Sequence, residues 1–98
     1  MPLESTITKN IINLIKEKGG MAEKIHGNAM SIGRPDINAC YKGRCLRLEV
    51  KSPDHNNQAS QAQLINLAKW ERAGAVSKVV RSVKEVKEIL DEILETSN

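Results

Sequence analysis

The sequence predicts an α/β fold, a mixed four-stranded sheet with elements in the order α-β-β-β-α-β-α. Three observations predict it. Residues 3–18 and the stretch after Ser82 set apolar residues at helical spacing. Between them lie short runs with strand-like alternation, two of them linked by Lys42-Gly43-Arg44. Glycine and proline mark the junctions, at Gly19-Gly20, Gly33, Pro35, Gly43 and Gly74. The 98 residues are expected to form one domain, 1–98, with one modest core.

In chain order, Leu3, Ile7, Ile11, Leu14 and Ile15 form the stripe of the first helix, and Gly19-Gly20 ends it. Residues 21–27 are expected to be a strand between glycines. A loop runs from Asn28 to Pro35. Residues 36–41 and 45–51 read as a hairpin, and 52–59 as a polar loop without periodicity. Ser60 starts a second helix with Leu64, Leu67 and Ala68 inward and Gly74 as its stop. Trp70 lies off that stripe, in the core or at an interface. Residues 76–81 read as the fourth strand. Ser82 and Glu85 form a capping box for a third helix, whose inward stripe is Val86, Ile89, Leu90, Ile93 and Leu94.

The net charge is +3, unevenly placed. Residues 83–98 set two lysines against five acids, −3, which leaves +6 on residues 1–82. A basic body suits a polyanion met by one face. With Trp70 and Tyr41 the only aromatics, no base-stacking platform can be built, so a nucleic acid would be met through backbone and shape. No apolar run spans a bilayer and no leader pattern opens the chain, so the expected location is the cytoplasm, in a bacterium or phage-infected host. Cys40 and Cys45 are too few for a disulfide framework. They could face each other across the hairpin, reduced in a cytoplasm, and are expected to be small core residues.

The chemistry centres on Glu49-Val50-Lys51. On a strand, i and i+2 share a face, so Glu49 and Lys51 project together and Val50 points the other way. Gly33 and Pro35 shape the turn into Asp36, which a hairpin brings close to Glu49. Two carboxylates that close repel by on the order of several kcal/mol at a surface-like dielectric. A shared proton or a bound cation relieves them. A hard divalent ion such as Mg²⁺ takes carboxylate oxygens, water and phosphate and could polarise a phosphodiester. Lys51 would hold the attacking water and offset charge. The chain holds an internal control: Glu85-Val86-Lys87 repeats the tripeptide on a helix, where i and i+2 diverge by about 200°, so it reads as solvated surface. Neither His26 nor His55 has a Cys or His cluster around it, so neither is expected to ligate metal.

Several stretches together carry a family resemblance: Gly33-Arg34-Pro35-Asp36-Ile37, Gly43-Arg44, Leu48-Glu49-Val50-Lys51, Ser60-x-x-Gln63, Ala73-Gly74 and Val79-Val80-Arg81-Ser82. In this order, over roughly residues 4 to 94, they resemble the virus-type replication-repair nuclease (VRR-NUC) domain of the PD-(D/E)XK nuclease superfamily. Its short members are similar to phage proteins and archaeal Holliday junction resolvases. The resemblance implies a restriction-endonuclease-like core and a Mg²⁺- or Mn²⁺-dependent DNA endonuclease, acting on branched DNA as a homodimer. Duplex, flap or nicking cleavage is the alternative within the class. Outside it stand a DNA-binding module that has lost catalysis, and a plain interaction domain.

The resemblance also implies residue roles. Asp36, Glu49 and the Val50 backbone carbonyl would ligate metal, and Lys51 would be the catalytic lysine. Glu4 matches the acid of the first helix and would be a further catalytic, metal-ligating carboxylate, with Glu17 and Glu23 as alternatives, and an acid at a helix N-terminus is also favourable in itself. Gln63 matches the family glutamine and equally completes a Ser60 capping box. Lys24 matches a basic position near the scissile phosphate, although a solvated strand lysine fits it too. Arg34, Arg44 and Arg47 are candidate phosphate contacts. Two cuts in a junction or duplex call for two sites, hence a C₂ dimer. The isoleucines of the first helix (Ile11, Ile12, Ile15) exceed one stripe and are expected to supply its interface.

Overall fold

The structure, a computed structural model, describes residues 3–25, 33–54 and 57–96. The elements are α1 (Glu4–Glu17), β1 (Met21–Lys24), β2 (Ile37–Tyr41), β3 (Arg44–Val50), α2 (Gln61–Arg72), β4 (Val76–Val80) and α3 (Val83–Thr96). The order and the mixed sheet are those the sequence predicts. The strands lie β1-β2-β3-β4, antiparallel except for the parallel pair β3–β4. Among the described residues no helix is long and apolar enough to cross a membrane.

Alternation along the strands separates two faces. Ile37, Ala39, Tyr41, Leu46, Leu48 and Val50 point to one side, where α1 and α3 cover them. Ile11, Ile15, Leu46 and Leu48 have no exposed surface. Each such side chain contributes about 1.5–3 kcal/mol of burial. The other face carries Asn38, Cys40, Cys45, Arg47 and Glu49, and α2 packs over its β3–β4 half.

The β2–β3 hairpin turns on Lys42 and Gly43. Both have positive φ, 51° and 78°, and Tyr41 pairs with Arg44. That is the pattern of a two-residue type I′ turn, whose twist matches the strands it joins.

Several expectations need correction. Strand β1 ends at Lys24, and positions 26 and 27 of the expected strand, with His26, lie outside the described residues, as does His55. On α2, Leu67 is buried but Leu64 is half exposed and Ala68 only partly covered. The helix is rolled so that Gln63, Asn66 and Leu67 face inward, over a strand surface that sets Arg47, Glu49 and Ser77 beside Val79. Leu3 and Leu94 are also largely exposed, each at the outer end of its helix. Cys40 is exposed and Cys45 half-buried, so neither is a core residue; both stand on the polar sheet face. The isoleucines of α1 are not surplus either. Ile11 and Ile15 are in the core and Ile12 packs on it, since α3 lies against α1. The Glu85 side chain caps α3 differently from a simple box. Glu85 N–H donates to Ser82 Oγ at 3.2 Å, while Glu85 Oε2 accepts from Arg81 N–H at 2.7 Å.

Candidate active site

Asp36 is set by the backbone around it. Gly33 has φ of 82°, and a Cβ there would come within 3.0 Å of the Ala62 carbonyl at the start of α2. Only glycine takes that angle without strain. Pro35 is buried and fixes the next step. Asp36 is then pinned from both sides: its carbonyl accepts from Ile25 N–H at 2.7 Å, and its Oδ2 accepts from Val50 N–H at 2.7 Å.

Glu49 follows from the register. Ile37 pairs with Leu48, so the next step places Asp36 opposite Glu49 on the same face. Glu49 is only 2% exposed, and its carboxyl is pushed up to about 8. Burial is the main cause, since a charged carboxylate loses its hydration. A hydrogen bond and the charge of Asp36 raise it further, Glu4 adds to this, and Lys51 opposes it. Glu49 Oε1 is buried and has no hydrogen-bond partner. Lys51 Nζ lies 3.8 Å from Glu49 Oε2, and Lys51 N–H donates to the Val80 carbonyl at 3.0 Å, extending the β3–β4 ladder.

Glu4 reaches this site from the first turn of α1. Its Oε1 accepts from Ser52 N–H at 3.2 Å and Asn57 Nδ2 at 3.1 Å. Glu17, thirteen residues on, is about 20 Å away along the helix, and Glu23 is exposed on β1. The Ser60–Gln63 capping box is formed: Ser60 N–H donates to Gln63 Oε1 at 2.8 Å and Gln63 N–H to Ser60 Oγ at 3.1 Å. Lys24 and Arg34 are exposed on segments beside Asp36. Arg44, at the far end of β3, stands about 17 Å along the strand from Glu49. Arg47 is not a free surface cation. Its guanidinium lies 4.1 Å from the centre of the Trp70 ring and its Nη1 donates to the Leu46 carbonyl at 2.8 Å.

Arg81, Ser52 and Asn57 are functional-site residues to which the sequence assigns no role. Arg81 Nη1 donates to the Ser52 carbonyl at 2.7 Å and the Asp54 carbonyl at 3.2 Å, and Nη2 to Gln58 Oε1 at 3.5 Å. It therefore ties down the loop whose Ser52 and Asn57 hold Glu4. The one signal was the place of Arg81 in the Val-Val-Arg-Ser stretch.

The donors suit a hard cation. Glu49 offers an unpaired buried oxygen beside a second carboxylate, an arrangement that a proton or a cation must neutralise. Among the described residues no three acidic, His or Cys groups converge on one metal position. The set matches an ion that keeps several waters and takes only one or two carboxylates, as Mg²⁺ does. A hollow of about 540 Å³ beside α3 and β4, lined by Ser77, Lys78, Glu92 and Thr96, holds no buried charge and lies apart from these carboxylates.

No family model matches the sequence, and no curated protein does. Solved structures do match. One described as "VRR_NUC domain" superposes with a TM-score of 0.73 at 26% identity, over 90% of this chain and 94% of that chain. Another, "VRR_NUC domain protein", has a TM-score of 0.75 at 19% identity, over 97% and 91%, a likeness of fold. The α/β core with its carboxylates at the ends of β2 and β3 thus has a nuclease-type fold. The solved structures that share this fold are described as VRR-NUC domains.

Proposed function

We propose that this domain is a Mg²⁺- or Mn²⁺-dependent DNA endonuclease that acts on branched DNA as a homodimer. The observation that carries the reading is Glu49: a buried carboxylate with an unpaired oxygen, next to Asp36 and Lys51. An ionisable carboxyl is buried there at the expense of stability in its charged form, which a merely structural strand end has no use for. The neighbours' printed description, a VRR_NUC domain, supports the same class.

In this reading Asp36, Glu49 and the Val50 carbonyl hold the cation, and Glu4 stands beside them as a further carboxylate. The cation supplies Lewis-acid polarisation of the scissile phosphate. The residues do the rest. Val50 N–H orients Asp36. Lys51 holds the attacking water at Nζ and offsets charge in the transition state. Gln63 uses its amide oxygen in the cap, so its amide nitrogen is the donor that would meet substrate. Lys24 and Arg34 contact phosphates flanking the cut, and Arg44 a more distant one.

The test is cleavage of a synthetic four-way junction beside matched duplex and flap DNA, with Mg²⁺, Mn²⁺ or chelator. Paired symmetric cuts in the junction, lost with chelator, support the full reading. Metal-dependent cutting of duplex or flap alone keeps the nuclease and removes the junction preference. Binding of DNA with no cutting of any substrate overturns the enzyme and leaves a binding module.

A further inference from the structure

The sheet face that α2 leaves uncovered carries an unassigned feature. The strand registers pair Met21 with Cys40 and Cys40 with Cys45. Three sulfur side chains therefore stand in one row across β1, β2 and β3, all on the same face. Met21 and Cys40 are exposed and Cys45 is half-buried. Together with Glu23, Asn38 and Arg47 they line a trough of about 300 Å³.

The turn fixes how close the cysteines are. In a two-residue hairpin the pair flanking the turn, here Tyr41 and Arg44, is the hydrogen-bonded one. The next pair, Cys40 and Cys45, is then of the non-hydrogen-bonded kind, in which Cα atoms approach to about 4.5 Å and side chains are nearest. Neither thiol is bonded to the other. On the outer side the long, flexible Met21 side chain can bring its thioether over Cys40.

Two thiols and a thioether on one accessible surface are soft ligands, and no carboxylate or imidazole belongs to the row. We propose that Met21, Cys40 and Cys45 form a site for a soft monovalent metal ion of the Cu(I) class. Soft thiolate and thioether donors select such ions over Mg²⁺ or Mn²⁺. The cysteines bind as thiolates, so each releases its proton on binding. Cys45 precedes Glu49 by four residues on β3, about 13 Å. The site is thus separate from the carboxylates, which bind hard ions, and does not depend on the proposed nuclease activity.

The test is a Cu(I) titration of the reduced full chain under argon, against a chromophoric Cu(I) chelator, with Mg²⁺ in excess. The site predicts capture of one Cu(I) per chain, unaffected by Mg²⁺. Cys40→Ser and Cys45→Ser should each abolish that capture, and Met21→Leu, which removes the soft thioether donor, should weaken it by roughly tenfold or more. Circular dichroism checks that the variants fold. Should a serine variant fail to fold, wild type alkylated at both thiols with iodoacetamide takes its place. No capture by wild type overturns the proposal. So does capture that survives loss of both thiols.

Discussion

At the scale of single residues, Glu49 decides the account. Its carboxyl titrates near 8 instead of near 4.5 because it is buried beside Asp36. A carboxyl whose pKa is raised on folding binds its proton more tightly in the native state. The stabilisation is complete below the unfolded value and is lost as pH rises through the folded one. In chelator, unfolding free energy should therefore fall between about pH 4.5 and 8, by on the order of a few kcal/mol. Denaturant melts across that range check it. Glu49→Gln removes the charge and keeps the shape. It should raise stability above pH 8 by roughly 1–3 kcal/mol and abolish cleavage. Metal needs the deprotonated carboxylate, so the Mg²⁺-induced rise in Tm should be larger at pH 8.5 than at pH 6.5 in wild type and absent in Glu49→Gln.

Gln63 offers a sharper residue test, because its two readings separate. Gln63→Glu keeps the Ser-x-x-Glu capping box, so stability should stay within about 0.5 kcal/mol. It removes the amide donor and adds a negative charge that would face phosphate. A fall in cleavage rate at unchanged Tm would show a role in the reaction; an unchanged rate would leave the cap as its whole contribution.

At the scale of elements, the site rests on β2 and β3, and this was legible for a simple reason. Period-two geometry puts Glu49 and Lys51 on one face, and the Lys42-Gly43 turn fixes the register that sets Asp36 opposite Glu49. What was not legible depended on contacts distant in sequence. The roll of α2 is set against a strand surface that mixes Arg47, Glu49 and Ser77 with Val79, which no pattern within the helix shows. The link from Glu4 to Ser52 and Asn57, and from Arg81 to the same loop, spans 29 to 53 residues and leaves no periodic trace. It does have a testable consequence. Arg81→Ala should free the loop and shift Glu4, lowering the cleavage rate by up to about 100-fold with little change in the core. Hydrogen exchange should show faster exchange at Ser52 and Asn57 and unchanged protection in β2 and β3. Equal loss of protection across the sheet would instead mean that Arg81 serves global stability.

At the scale of the whole molecule, the domain has two differently built sides. One is the sheet face covered by α1 and α3, which absorbs the isoleucines first expected at a dimer interface. The other is the face of α2, where Leu64 and Ile65 remain half exposed. A homodimer would therefore use α2 rather than α1. The solution mass at micromolar concentration should be twice 10.9 kDa, and Leu64→Lys with Ile65→Lys should yield a folded monomer. A wild-type monomer would remove the dimer from the account and leave the site intact. The basic body, +6 before the acidic C-terminal helix, suits DNA as the partner. Binding should weaken steeply with salt whether or not the DNA is cut.

The most direct test of the central claim, that Asp36, Glu49 and Lys51 form one metal-dependent cleavage site, is single-turnover DNA cleavage by wild type and Lys51→Ala at matched DNA occupancy. Wild type should cut only with Mg²⁺ or Mn²⁺, and the variant should lose about 100-fold or more of the rate with DNA binding retained. Equal cutting by both proteins, or cutting that persists in chelator, would contradict it.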